Sequence, residues 1–283
     1  MTLKPLDISR SRILVTNDDG IHAPGLKIIE NIARALTNDV WIVAPEIEQS
    51  GASHSLTVRV PLRIRQHAQR RFSVNGTPTD CVLLGMLQIL KDHPPDLVLS
   101  GVNGGSNLAE DVSHSGTVAG AMEGLILGAR AIAMSQLIPT DGPIHWKTAL
   151  HFGPDVVRKL VETPWEPDVF VNVNFPDLPA SAVKGIAVTC QGRRRLQETI
   201  TEAFDPFGRA YYWIGAPRQD QPSREVTDIG ATSRGYVSVT PMHMDHSHEG
   251  VMETLRAVFQ RKRQSIRPKL SKQASANGKR RSS

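Results

Sequence analysis

The chain has 283 residues, 40% hydrophobic and 22% charged, close to the average of globular domains, which excludes wholesale disorder. No apolar run approaches the roughly 18 residues that span a bilayer. Residues 1–12 lack the apolar core of a secretory signal. Two cysteines, Cys81 and Cys190, make neither a disulfide framework nor a thiolate zinc site. The expectation is a cytoplasmic protein without a membrane partner. Ten of the 33 Lys/Arg fall in residues 254–283, which contain no acid. Residues 1–253 therefore hold 23 bases against 28 acids, so the formal +5 belongs to a tail and the body is mildly acidic. A nucleic-acid-binding body is disfavoured.

In chain order, residues 12–16 (RILVT) form a short apolar run that ends in the polar turn Asn17-Asp18-Asp19-Gly20. Pro24-Gly25 opens a helix with Leu26, Ile29, Ile32, Ala33 and Leu36 on one face. Residues 40–44 (VWIVA) form a second strand, stopped by Pro45, and residues 80–90 a buried helix behind a Thr-capped turn. Residues 96–100 (DLVLS) form a further strand before the Gly- and Asn-rich stretch 101–116. A helix over 117–127 and a strand over 131–135 follow. Almost wholly apolar strands alternating with helices indicate a parallel sheet covered on both faces.

After residue 165 the pattern loosens. Strands are predicted at 169–175, 185–190 and 236–240, hairpin character around 205–208, and a helix over 249–260. Residues 217–235 read only as polar and turn-rich. The basic, Ser-rich 264–283 reads as a disordered tail.

In an open parallel sheet, function gathers at the carboxyl ends of the strands, and three polar clusters fall there. Asp18 and Asp19 are adjacent carboxylates. They read either as a hard-cation site for Mg²⁺ or Mn²⁺ or as a solvated turn with Gly20 at positive φ. Residues 45–55 (PEIEQSGASHS) supply Ser50 as a neutral ligand and His54 as a proton donor, or form an ordinary surface loop. Residues 100–117 (SGVNGGSNLAEDVSHSGT) combine flexible glycines, Asn103, Asn107 and a Ser115-Gly116-Thr117 helix start, which attracts anions. A cation site beside an anion site suits phosphate-ester hydrolysis.

These residues resemble the SurE (survival protein E) nucleotidase family. ILVTNDDGI at 13–21, VAPEIEQSGASHSLT at 43–57, NGTPTDCV at 75–82, the 100–124 stretch, DPFGRAYYW at 205–213 and GYVSVTP at 235–241 follow that family's order. The resemblance covers residues 10–260. It implies a metal-dependent phosphomonoesterase (a 5′-nucleotidase) that hydrolyses nucleoside monophosphates through a metal-activated water. Carried over by residue, the ligands of one divalent cation are Asp18, Asp19, Ser50 and Asn103. The phosphate site is Asn107, Ser115, Gly116 and Thr117, and the catalytic set is Asp18, Asn107, Ser115 and His114. The group that protonates the leaving alcohol is either His114 or His54, and His114 reads equally as a hydrogen-bonding support behind the site. The fold it implies is a Rossmann-like core over 10–165 and a smaller carboxyl-terminal region over 166–263. That region carries an extended arm at 193–215, through which subunits exchange to form dimers or tetramers. The arm's aromatics are then intersubunit, or else a local hairpin core. Glu46 stands where the family has Asp, and Ser53 and Ala109 where it commonly has Gly. Two rivals are a covalent aspartyl-phosphate phosphatase, which needs a DxD spacing absent here, and a non-catalytic nucleotide sensor whose basic tail contacts nucleic acid.

Overall fold

The structure, a computed structural model, describes residues 3–164, 166–196, 199–215, 218–220 and 226–264. Two compact units are present, Met1–Met244 and Asp245–Ser283. The elements of the first are β1 (Ile13–Thr16), α1 (Pro24–Arg34), β2 (Val40–Pro45), β3 (Ile64–Ala68), β4 (Arg71–Val74), α2 (Pro78–Leu84), β5 (Leu97–Gly104), α3 (Gly116–Ile126), β6 (Arg130–Gln136), α4 (Trp146–Glu162), β7 (Val169–Phe175), β8 (Gly185–Val188), β9 (Arg194–Leu196), β10 (Thr199–Phe204), β11 (Ala210–Gly215), β12 (Arg218–Asp220), α5 (Asp228–Ser233) and β13 (Tyr236–His243). The second unit holds α6 (Glu249–Gln264), four residues longer than predicted. The tail assigned as disordered lies, from residue 265 on, outside the described residues. Among the described residues no helix is long and apolar enough to cross a membrane.

Among the described residues nine strands make one sheet in the order β3-β4-β2-β1-β5-β6-β7-β13-β8, parallel except for the β3–β4 and β7–β13 pairs. This is the expected mostly parallel α/β architecture, and β7, β13 and β8, from beyond residue 165, extend that same sheet. Strand alternation feeds two cores. Ile13, Val15, Leu97 and Leu99 point to the layer of α1 and α4. Leu14, Val98 and Val43 point to the layer of α2 and α3. On its side of the sheet, α3 packs close against the strands. A Cβ added to Gly120 would meet Ser100 Oγ at 2.8 Å and Thr16 Cγ2 at 2.9 Å, and one added to Gly124 would meet Val98 Cγ2 at 2.7 Å. Only hydrogen at these positions lets the helix settle there, and this fixes where its first turn points.

The sequence pattern predicts no element in 56–74, where β3 and β4 pair, nor at 146–162, where α4 packs. β3 is exposed throughout and carries no burial alternation. In α4, Gly153 and Pro154 break the propensity pattern, yet Ala149, Val156, Val157 and Val161 are buried, and Gly153 admits Ile32 of α1. The arm is an antiparallel hairpin of β10 and β11, with β9 and β12 pairing below it.

Candidate active site

The acid pair sits at the carboxyl end of β1 because the turn after Thr16 is cross-braced. Asn17 Nδ2 donates to the Gly20 carbonyl at 3.0 Å, with Gly20 at φ +99°. The Gln49 N–H donates to the Asp18 carbonyl at 2.8 Å, and the Ile21 N–H to Pro45 at 2.8 Å. The exits of β1 and β2 are thereby joined, as a sheet that binds ligands at its strand ends requires.

Asp18 is buried, and the start of α3 is pressed against it. A Cβ on Gly116 would lie 2.8 Å from the Asp18 Cβ. The Thr117 hydroxyl donates to Asp18 Oδ1, and the Thr117 backbone N–H is also directed at that carboxylate. Burial, opposed in part by the Thr117 hydroxyl and reinforced by the charge of Asp19, pushes the Asp18 carboxyl up to about 6. Asp19 is raised too, by burial and by the nearby charge of Glu48, against a hydrogen bond from the Gly104 N–H at 3.3 Å. Two carboxylates held together against their mutual charge mark a place where positive charge is missing.

The third loop is built as a rigid wall. Asn107 donates its N–H to Asn174 Oδ1 at 3.0 Å and its Nδ2 to Ser135 Oγ at 2.8 Å. Its carbonyl accepts from Asn172 Nδ2 at 2.8 Å and Asn174 Nδ2 at 3.0 Å. Asn172 and Asn174 project from one face of β7, where the alternation VNVN is the sequence signal that was overlooked. Ala109, fully buried, has φ +51°, and Ser53 has φ +53°. Both are positions where the resemblance led one to expect glycine, and the left-handed backbone is the physical reason. Ala109 is held there from both sides. Its N–H donates to Asp228 Oδ2 at 2.9 Å, and its carbonyl accepts from Gln191 Nε2 at 2.8 Å. Asp228 Oδ1 also takes the Gly192 N–H at 2.8 Å. Asp228 falls in the stretch that read only as polar and turn-rich.

Of the predicted residues, Asp18, Ser50, Asn103, Asn107, His114 and Ser115 line a single cavity of about 790 Å³. Asp19 reaches its rim through Gly104. Gly116 and Thr117, expected at phosphate, lie against Asp18 and are not among the lining residues. Ser50 is exposed and donates to Glu48 at 2.9 Å. His54 is turned away, its Nε2 3.0 Å from Glu123 Oε2. Leu137, Ile138 and Ile214 also line it and lie outside the three strand-end clusters, and Asp111 lines it from within the 100–117 cluster without having been singled out there.

The residues present fit a hard divalent cation. Carboxylate, amide and hydroxyl oxygens suit such an ion. No Lys or Arg is found among the described cavity-lining residues to neutralise Asp18, and Asn17 Oδ1 beside it is buried without a hydrogen-bond partner. Among the described residues, no three His, Cys, Asp or Glu side chains converge as a ligand group. A site here therefore rests on two carboxylates supplemented by neutral oxygens.

Comparison with known proteins gives the same family from three directions. The family model described as Survival protein SurE matches residues 13–198. A Paramagnetospirillum magneticum protein named 5'-nucleotidase SurE is 54% identical over 260 residues, 92% of this chain and all of that one. A Rhodospirillum rubrum protein of the same name is 50% identical, covering 89% of this chain and 98% of its own. The crystal structure of the SurE protein from Aquifex aeolicus matches with a TM-score of 0.77 at 40% identity, covering 88% of this chain and 99% of that one. With its signature loops gathered on one cavity and relatives matched over nearly their full length, the chain belongs to the SurE family.

Proposed function

We propose that the protein is a 5′-nucleotidase, hydrolysing nucleoside monophosphates to nucleoside and phosphate with the help of one divalent cation of the Mg²⁺ or Mn²⁺ type. The observation that carries this reading is the under-neutralised Asp18, lining one cavity with Ser50, Asn103 and Asn107. The relatives named 5'-nucleotidase SurE agree with it.

Asp18, Asp19, Ser50 and Asn103 would hold the cation. When bound, it supplies neutralisation of phosphoryl charge and acidification of water. The chain's own groups do the rest. Thr117 is a positioning residue that fixes the rotamer of Asp18. Ser115 Oγ accepts the Val118 N–H at 3.0 Å, which leaves its own proton to donate to a phosphate oxygen. Asn107, with one amide hydrogen on Ser135, keeps a second for the same oxygens, and its network holds it still. With His54 engaged by Glu123, His114 on the cavity wall is the group that protonates the departing alkoxide.

The arm is proposed to join copies of this chain into a homodimer or homotetramer. Phe204, Phe207, Tyr212 and Trp213 are each at least 60% exposed on it, far more apolar surface than a lone hairpin keeps in water. The test of function is phosphate release from a panel of nucleoside monophosphates with and without chelator. Turnover that is abolished by chelator and restored by Mg²⁺ or Mn²⁺ is expected, and turnover indifferent to chelator would overturn the reading.

A further inference from the structure

The lining of the cavity is divided by burial. Asp18 and Asn107 are buried, while Leu137 is half-buried and Ile138 and Ile214 are exposed, an apolar group toward its mouth. Leu137 and Ile138 follow β6 directly, while Ile214 comes from β11 of the hairpin. Register and alternation decide which side chain the hairpin offers. Ile214 lies opposite Ile200 and shares a face with Tyr212, whereas Tyr211 and Trp213 share the other face, their rings 6.4 Å apart. An aliphatic residue, not the aromatic pair, therefore meets the cavity.

The hairpin's root is tied to a residue that also lines this cavity, Asp111. Arg194 Nη1 contacts Asp111 Oδ2 at 2.6 Å, with both side chains under 10% exposed, and the Arg194 N–H donates to Glu110 Oε2 at 2.6 Å. Gly192 and Ala109 share Asp228, as described above. The strand that leads into the hairpin is thus anchored on the 109–114 turn that also carries His114.

From this arrangement we infer that Ile214, Ile138 and Leu137 form the contact surface for the base of the bound nucleoside monophosphate, which makes the hairpin part of the substrate site. The inference rests on the nucleotidase reading and deepens it. A ligand with a phosphate at one end and a flat, weakly hydrated ring at the other fits a cavity divided in this way. These side chains offer no hydrogen-bond donor or acceptor, so they contact the face of a ring and cannot read its edge. A methylene more or less in such a pocket discriminates weakly, and adenine and guanine gain alike.

The test compares the wild-type protein with Ile214→Ser and Ile138→Ser, which lie on separate segments and are both exposed. KM and kcat are measured for AMP and GMP, and inorganic phosphate serves as a competitive probe of the polar end alone. Each variant is expected to raise KM for both nucleotides about tenfold, with kcat held and the Ki of phosphate unchanged. A KM for AMP unchanged in both variants overturns the inference while leaving the nucleotidase reading intact. A parallel rise in the Ki of phosphate also overturns it, because the residues would then act on the whole cavity. Absence of AMP hydrolysis by the wild type would instead refute the reading beneath it.

Discussion

Replacing Asp18 by Asn separates stability from chemistry in an unusual direction. The Asp18 carboxyl is raised from 3.8 to about 6 chiefly by burial. The folded, chelated protein therefore binds this proton more tightly than the unfolded chain does. Its stability falls as pH rises from 3.8 through 6, and the whole penalty is present above that window. A shift of about two units corresponds to about 3 kcal/mol at pH 8, and linkage leaves about half of it at pH 5. Asn carries no charge to desolvate and still accepts from Thr117. Its amide nitrogen replaces one acceptor oxygen in a setting where backbone N–H groups are directed at the carboxylate, which costs about 1 kcal/mol. Chelated Asp18→Asn should consequently be more stable than chelated wild type by about 2 kcal/mol at pH 8. At roughly 2–4 °C per kcal/mol for a chain of this size, the gain is about 4–8 °C in Tm. The gap should shrink by more than half at pH 5, and added Mn²⁺ should stabilise only the wild type. Thermal melts with chelator at the two pH values are the assay. A variant melting at or below the wild type at pH 8, or a gap that ignores pH, would refute the account of Asp18 as an under-neutralised buried charge.

Further predictions follow from neighbouring contacts. Thr117→Val removes the hydroxyl that orients Asp18; activity should drop roughly 10–100-fold and the cation concentration for half-maximal rate should rise, with Thr117→Ser restoring most of both. Gly116→Ala places a methyl 2.8 Å from the Asp18 Cβ, so denaturant unfolding should show a loss of about 1–3 kcal/mol together with reduced turnover. Ala109→Gly relieves a left-handed backbone in a fully buried residue and should stabilise the protein by roughly 0.5–1 kcal/mol in the same assay. His114→Ala should slow AMP hydrolysis at least 100-fold but affect p-nitrophenyl phosphate far less, since that leaving group departs without a proton; equal losses on both substrates would remove His114 from this role.

Much of the architecture was legible because burial leaves periodic marks on a sequence. β1, β2 and the first residues of β5 and β6 are apolar on both faces, β7 is apolar on one, and α1 shows an apolar stripe; these marks are local. The strand-end clusters with Asp18, Asp19, Asn103, Asn107 and Ser115 were legible for a related reason. A parallel sheet puts its functional loops at known places, and polar residues crowded there have no packing role. β3 carries no such mark, because it is exposed and joins the sheet through its pairing with β4. α4 was hidden by Gly153 and Pro154, whose helical state depends on packing against Ile32.

What the sequence alone determined is therefore the order of the core elements, the acid pair and the loops that accompany it. Tertiary structure decided how those loops divide their work. Gly116 and Thr117 face Asp18 because Gly120 and Gly124 let α3 sink onto the sheet, and Ala109 keeps its φ of +51° because Asp228 and Gln191, more than 80 residues away in the chain, grip it from both sides. The apolar mouth is likewise tertiary, since Ile214 reaches the cavity only through a hairpin rooted on Asp111. Contacts between distant segments leave no period in the chain, because each partner satisfies the other and neither needs a pattern of its own.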